Sequence, residues 1–304
     1  MTDLEQTPAA TLAARYGLPK LGGRPGVGGY LAQLWDRRHF TLALARSRFR
    51  AQNEEYQLGI LWVLLLPLIN IGVYWLVFGL LVKSRSSTRP DHFLSFLTVG
   101  IFTFGFFTGC FVEGAKSIAK NRGLVRTLHF PRAVLPLSVV IQQLMTLGAQ
   151  LVVMFLVIVV SGEPITYRWL LIIPVYLMMT LFCSGVAFVA ARLTVHIRDI
   201  TQIIPFVNRL LFYTSGIFFV VAERYGKTGP DASTLGKILS QVLTANPLNV
   251  YLTLARDALL SQDRHMRGVH ATALQWQLGV VYGVVVFVVG FYFFWRAEGL
   301  YGRD

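Results

Sequence analysis

The chain alternates long apolar runs with short polar, mostly basic segments, and this pattern predicts helices that cross a bilayer. About 30 Å of hydrocarbon requires roughly 20 apolar residues in a helix. Six runs meet or approach that length: 59–82, 93–112, 133–160, 168–191, 203–222 and 275–295. Pro67 lies inside the first run and predicts a kink, which a membrane helix tolerates when a neighbour satisfies the freed carbonyl. Pro136 falls in the first turn of the third, where proline fits.

Ahead of these runs, Tyr30, Leu31, Leu34, Trp35, Leu42, Ala45 and Phe49 recur at helical spacing against Arg37, Arg38, Arg46, Arg48 and Arg50. An amphipathic helix over 30–56, lying in the headgroup plane, is predicted. A soluble amphipathic helix has the same pattern. Residues 1–29 are polar or rich in Gly and Pro and predict a disordered tail without the apolar core of a signal peptide. The remainder, 57–304, reads as one six-span transmembrane domain, all-α. Between the fifth and sixth runs, LGKILSQVL and NPLNVYLTLARDALL have helical spacing but are too short to span. They predict re-entrant or surface helices on the outer face.

Composition supports this picture: 54% of residues are hydrophobic and 14% charged, with a mean hydropathy of +0.55. Soluble domains carry about 25% charged residues. The net charge of +13 does not point to nucleic acid, because the basic residues sit between apolar runs. They read instead as orientation signals and contacts to anionic lipid. With six spans, one side carries 17 Lys and Arg and the other 10, which places both termini in the cytoplasm of the cell membrane. Lys83, Arg85 and Arg89 run against that assignment.

Catalytic and metal-binding patterns are missing. The glycines of residues 21–29 are not followed by Gly-Lys-Ser/Thr, so they form no phosphate loop. No HExxH, GxSxG, zinc-ligand or kinase pattern occurs, and Cys110 and Cys183 lie in separate apolar runs. Acids and histidines are nearly absent from the span interiors, where an ion-coupled transporter keeps them. Glu113 and Arg209 are the exceptions, and both fall near predicted cytoplasmic ends. The chain therefore reads as neither an enzyme nor a secondary transporter. Energy for active transport must come from another chain.

Four segments together carry a family resemblance. Residues 48–67, RFRAQNEEYQLGILWVLLLP, place a basic stretch before Leu58, Gly59, Trp62 and Pro67. Residues 121–136, NRGLVRTLHFPRAVLP, include Asn121, Leu124, Val125, Phe130, Pro131, Arg132 and Pro136. Arg198-Asp199 follows the fourth run, and Asn246-Pro247-Leu248 with Arg256 precedes the last. In this order the segments resemble the permease subunit of ABC-2-type exporters of polysaccharide, O-antigen or teichoic acid. The alanine- and arginine-rich tail is similar to the mycobacterial-type galactan exporters.

The resemblance implies a homodimer working with two copies of a cytoplasmic ABC ATPase, which would supply ATP and Mg; no cofactor is expected in this chain. It implies a polyprenyl-diphosphate-linked glycan as substrate and a role in cell wall biogenesis. It marks Lys120, Asn121, Arg122, Leu124, Val125, Arg198 and Asp199 as candidates for coupling to the ATPase, against the plain alternative of a solvated loop. Arg46, Arg48 and Arg50 are suited to a diphosphate, since guanidinium groups bind it in bidentate fashion. Membrane anchoring explains them equally. Tyr74, Phe104, Phe107 and Tyr213 are candidate glycan-channel aromatics, against lipid-facing packing. Rival functions are an ABC-2 drug or lipid efflux permease, a membrane glycosyltransferase, or a scaffold; a neighbouring gene for an ATPase would separate both kinds of ABC permease from the glycosyltransferase and the scaffold.

The charge asymmetry generates a direct test. With single cysteines placed at Ala10 or Leu235, an impermeant thiol reagent should label intact cells only at the second position. Labelling at Ala10 would reverse the orientation.

Overall fold

The computed structural model describes residues 26–54, 59, 61–77, 93–128, 130–197, 199–219, 242–260 and 270–298. These residues form an all-α integral membrane fold with several apolar spans. Helices α1 (Val27–Asp36) and α2 (Arg38–Glu54) are the amphipathic segment, divided at Arg37, where Arg38 Nη1 donates to the Trp35 carbonyl at 3.1 Å. Helix α1 starts three residues before the predicted boundary, because Tyr30 N donates to Gly26 O at 2.9 Å and the Tyr30 ring is buried.

Among the described residues, four helices are long and apolar enough to cross a membrane: α4 (Phe93–Lys116), α6 (Val134–Val160), α7 (Ile172–His196, entered through the 3-10 turn Tyr167–Leu171) and α10 (Ala273–Arg296). Two shorter helices occupy the places of the predicted first and fifth spans. Helix α3 (Leu61–Tyr74) continues as one π turn, giving an apolar helix Leu61–Val77. Pro67 removes the donor that would bond the Val63 carbonyl. Gln150 Nε2 of α6 takes over that acceptor at 3.3 Å.

Helix α8 (Ile200–Thr214) has 15 residues, so at 1.5 Å per residue it rises about 22 Å, short of the hydrocarbon thickness. It ends in a turn at Ser215 and at Gly216, whose φ of 77° favours glycine. The predicted continuous span over 203–222 is therefore broken at this point, and residues 220–222 lie outside the described residues. Basic helix α5 (Arg122–Thr127) follows the 3-10 turn Ala119–Asn121 between α4 and α6.

Helix α9 (Pro247–Leu259) corresponds to the second of the two short elements predicted between the fifth and sixth runs. Asn246 Oδ1 accepts from Leu248 N at 3.0 Å, and Pro247 occupies the first position, where its missing N–H costs nothing. Every residue from Leu248 to Leu259 is buried, which distinguishes it from a surface helix. The segment 235–241 lies outside the described residues.

Two contacts set the packing. Helices α7 and α10 approach through Gly185 and Gly290; a Cβ on either would collide with the opposing backbone. Arg256 of α9, 3% exposed, reaches across the core. Its Nη1 donates to Gly216 O at 2.9 Å, its Nη2 to Ile217 O at 3.0 Å and its Nε to Phe96 O at 3.3 Å. The guanidinium also stacks on the Phe96 ring, 3.4 Å from its centroid. Gly100 leaves the room, since a Cβ there would lie 2.7 Å from Nη2. One side chain thus satisfies carbonyls at the break of α8 and ties α4, α8 and α9 together.

Replacing a buried charge by an apolar residue also removes a desolvation penalty, so the net sign depends on what the carbonyls lose. Here they have no water to turn to. Arg256→Met should therefore destabilise by about 2 kcal/mol or more, lowering the melting temperature of the solubilised protein by about 5 °C. An unchanged melting temperature would show that the carbonyls find other partners.

Candidate functional site at the basic end

The end of the bundle that carries α1, α2 and α5 is also where α4, α7 and α10 finish and α6 begins. A polar cleft of about 440 Å³ opens there. Helix α2 contributes Arg48, Ala51 and Gln52; the last turns of α4 and the segment after it contribute Glu113 and Ser117; the 3-10 turn contributes Lys120 and Asn121; α6 contributes Val139 and Gln142. Glu113, Ser117 and Lys120 share one face because they are spaced four and three residues apart. Gln142 Nε2 donates to Gln52 Oε1 at 2.8 Å and pins α2 against α6.

Arg48 is the half-buried cation of the site. Its Nη1 donates to Ser138 Oγ at 2.9 Å and to Leu135 O at 3.3 Å. Its Nη2 is buried and has no hydrogen-bond partner among the described residues; the same is true of Ser117 Oγ, which lines the same cleft. Burial lowers the Arg48 pKa from its ordinary value, and the Glu113 carboxylate pulls it back up. A guanidinium remains charged at neutral pH even so. Two donors without acceptors beside a fixed cation suit an anion with several oxygens. Among the described residues no group of three His, Cys, Asp or Glu gathers to hold a metal ion.

On the rim, Lys120 Nζ donates to Glu113 Oε2 at 2.6 Å, and Lys116 Nζ lies 3.9 Å from Glu113 Oε1. Asn121 Nδ2 donates to Ser117 O at 2.6 Å, which fixes the 3-10 turn on the end of α4. Below the turn, Ile118 and Val125 bury against Tyr30, Phe188, Phe291 and Phe294, with Leu124 partly buried at the edge. Arg122 and Arg126 face outward. The segment 119–127 therefore has an apolar underside seated on the bundle and a basic outer surface.

A polar staple holds this end together. Tyr30 Oη donates to Glu298 Oε2 at 2.8 Å and accepts from Ala133 N at 3.1 Å. Arg132 N donates to Glu298 Oε1 at 2.9 Å, and Arg132 Nη1 donates to Glu298 O. Helix α1, the entry to α6 and the end of α10 meet in these four bonds.

The residues singled out from sequence separate into groups. Arg48, Lys120 and Asn121 meet in the cleft. Arg46 and Arg50 are exposed on α2 and do not line it. Asp199 is exposed at the start of α8, and Arg198 lies outside the described residues. The four aromatics come together away from this end. Tyr74, Phe104 and Tyr213 all contact Phe212, at centroid distances of 5.6, 5.2 and 5.4 Å. Phe104 and Phe107 are buried within the chain, whereas Tyr213 is 53% exposed. Gln52, Ser117, Gln142 and Glu298 went unnoticed in the sequence, and Tyr30 was read only as part of the amphipathic stripe. The four- and three-residue spacing of Glu113, Ser117 and Lys120 was the available signal for the cleft; the staple joins residues 268 apart and left none.

The sequence model for the ABC-2 type transporter matches residues 39–223, well over half the chain and inclusive of every cleft residue. The chain belongs to the ABC-2 type transporter family. It is similar to the O-antigen export system permease protein RfbA of Myxococcus xanthus, 26% identical over 187 residues, covering 62% of this chain and 70% of that protein. Two O-antigen export system permease proteins RfbA of Klebsiella pneumoniae are 22% and 24% identical, covering 77% and 72% of this chain and 82% and 77% of theirs. This ABC-2 permease is thus a multi-pass, non-catalytic export subunit related to O-antigen export systems.

The staple makes a local prediction for the permease. Tyr30→Phe leaves the Ala133 N–H and one Glu298 oxygen short of a partner, worth about 1–2 kcal/mol. Amide hydrogen exchange at residues 130–134 should accelerate about tenfold, with α7 and α10 unaffected. Unchanged exchange would show that Tyr30 only packs.

Proposed function

We propose that this permease is the membrane subunit of an ATP-driven exporter of polyprenyl-diphosphate-linked polysaccharide, such as O-antigen or galactan, across the cytoplasmic membrane. It works as a homodimer with two cytoplasmic ABC ATPase subunits, which hold the ATP and Mg. The observation that carries this reading is the cleft. It sets a buried, unpartnered Arg48 donor beside the basic segment 119–127, at the level where an amphipathic helix meets the bundle. A lipid-linked diphosphate has the same division, with its polyprenyl tail in hydrocarbon and its anion at the interface.

In this reading Arg48 and Ser117 receive the diphosphate. Arg46 and Arg50, exposed on the same helix, attract it and the surrounding anionic lipid. Arg122, Leu124 and Val125, with Asp199 and Arg198, form the surface that engages the ATPase. Tyr74 and Tyr213 offer aromatic faces to sugar rings, and Phe104 and Phe107 support them from behind. Each sugar–aromatic contact is worth only about 1 kcal/mol, which lets a polymer leave every site it enters.

The test is purification with the cognate ATPase, followed by ATP hydrolysis with undecaprenyl diphosphate as probe. Arg48→Gln should weaken the apparent affinity for the probe about tenfold, the loss of one charge-assisted hydrogen bond. Membrane insertion and ATPase association should persist. Equal affinity in the variant would remove Arg48 from the linker site, and an assembly stimulated instead by apolar drugs would replace the export reading.

A further inference from the structure

The ion pairs of this permease differ in how easily they exchange partners. Asp257 is 4% exposed and paired with Arg168 at 3.1 Å, so breaking that contact strands a buried charge. The pair at the cleft is of the other kind. Lys120 is 60% exposed and Glu113 38% exposed, at 2.6 Å. An exposed pair contributes only about 0–1 kcal/mol, so a stronger anion can displace one member at little cost.

Among the described residues, Glu113 is the only acid lining the cleft. Arg48 and Lys120 are the cations on that lining, and Lys116 reaches Glu113 from beside it at 3.9 Å. An anion seated against Arg48 Nη2 and Ser117 Oγ therefore meets Glu113 as a like charge and Lys120 as the mobile counter-charge on the lining. Lys120 has a flexible four-carbon stem and can turn from one anion to the other. Arg48 cannot, because Ser138 and Leu135 hold its Nη1.

Lys120 also sits within the 3-10 turn that continues directly into α5. Its neighbour Asn121 fastens that turn to Ser117, a cleft residue with an unused hydroxyl. Both residues that tie the turn to α4 thus have their partners in the cleft.

We propose that Glu113 is a tethered competitor for the linker anion: it holds Lys120 in the structure, and a diphosphate headgroup entering the cleft takes Lys120 from it. The exchange frees the Lys120 side chain from the end of α4 and loosens the 3-10 turn, while the segment stays seated through Ile118 and Val125. The occupancy of the cleft is in this way reported to the surface that engages the ATPase. Glu113 is then a positioning residue rather than a ligand, and it sets the threshold at which substrate stimulates hydrolysis. This rests on the proposed export function and goes beyond it by naming the residue that senses the linker.

The experiment uses the permease–ATPase complex in phosphatidylcholine nanodiscs. Undecaprenyl diphosphate is the probe, with inorganic pyrophosphate and phosphatidylglycerol as separate arms. Removing the competitor with Glu113→Gln should tighten the apparent affinity for undecaprenyl diphosphate about two- to fivefold, the fold-change that an exposed ion pair allows. Hydrolysis without probe should rise towards the stimulated rate, so that the stimulation ratio falls towards one. Glu113→Asp, which keeps the carboxylate, should restore a ratio well above one. Lys120→Met, which breaks the same pair, should still bind the probe and should likewise raise hydrolysis without probe, so that its stimulation ratio also falls towards one.

Wild-type affinity and stimulation in Glu113→Gln would overturn the proposal while leaving the export reading intact. A wild-type complex that neither binds nor responds to undecaprenyl diphosphate would overturn both. Full stimulation by phosphatidylglycerol alone would make the cleft a site for bulk lipid headgroups, and full stimulation by pyrophosphate would make it a site for a free anion. Either result would overturn the assignment to the linker.

Discussion

Hydrocarbon supplies no hydrogen bonds, so each backbone carbonyl freed inside the bilayer must find a partner within the protein. Among the described residues, two sites show how such carbonyls are answered. Pro67 frees the Val63 carbonyl within α3, and Gln150 answers it from α6. The end of α8 frees Gly216 and Ile217, and Arg256 answers both from α9. The second arrangement determines more of the architecture. Helix α9 is too short to span and too buried to be a surface element, and its place is set by the guanidinium that three carbonyls and the Phe96 ring enclose. Gly100 and Gly216 follow from it. One admits the side chain and the other makes the turn whose carbonyls it needs.

The same electrostatic rule, applied at two depths, separates structural from responsive groups. At Arg256 the charge is enclosed and every nitrogen has an acceptor, so partner exchange has a high barrier. At the basic end, water reaches Lys120 and Glu113, the effective dielectric is high, and exchange is easy. Between them lies Arg48, half-buried, with one nitrogen committed to Ser138 and Leu135 and the other without an acceptor. Such a group can bind an incoming anion strongly because its desolvation has already been met by folding. The polar staple of Tyr30, Arg132 and Glu298 keeps this preorganisation, since it holds the N-terminal helix to the ends of two spans.

Most of the fold was readable from hydrophobic period alone. The cores of the four long helices, helical structure over 30–54 and the short helix after Asn246 all follow from run length and capping chemistry. What was not readable is where a run stops being one helix. Apolar residues flank positions 215 and 216 on both sides within 203–222, but Gly216 adopts a left-handed φ that hydropathy does not register. The site divides along the same line. Arg48 stood out as one of three arginines just ahead of the first run, and Lys120 and Asn121 through the family resemblance. Ser117, Gln52 and Gln142 did not, because their importance is an unpaired hydroxyl or a contact between elements 90 residues apart. The aromatics were chosen by density, which cannot distinguish Phe104, inside the chain, from Tyr213 on its surface.

The position of the cleft has a physical consequence for the proposed export. An amphipathic helix in the headgroup plane fixes depth, because its apolar face cannot rise into water and its arginines cannot sink into hydrocarbon. In the proposed reading, with α2 in the headgroup plane, the cleft has the same depth. It would then meet a lipid-linked anion where the lipid already resides, and no part of the tail would have to leave the membrane for the headgroup to be bound. Binding energy is then available for the rearrangement at Lys120 instead of for extraction. The glycan, entirely polar, has no such anchor and needs a path that holds it weakly and repeatedly. A strong fixed cation at the interface and a set of weak aromatic faces at depth are opposite solutions, each suited to one end of the same amphiphilic substrate.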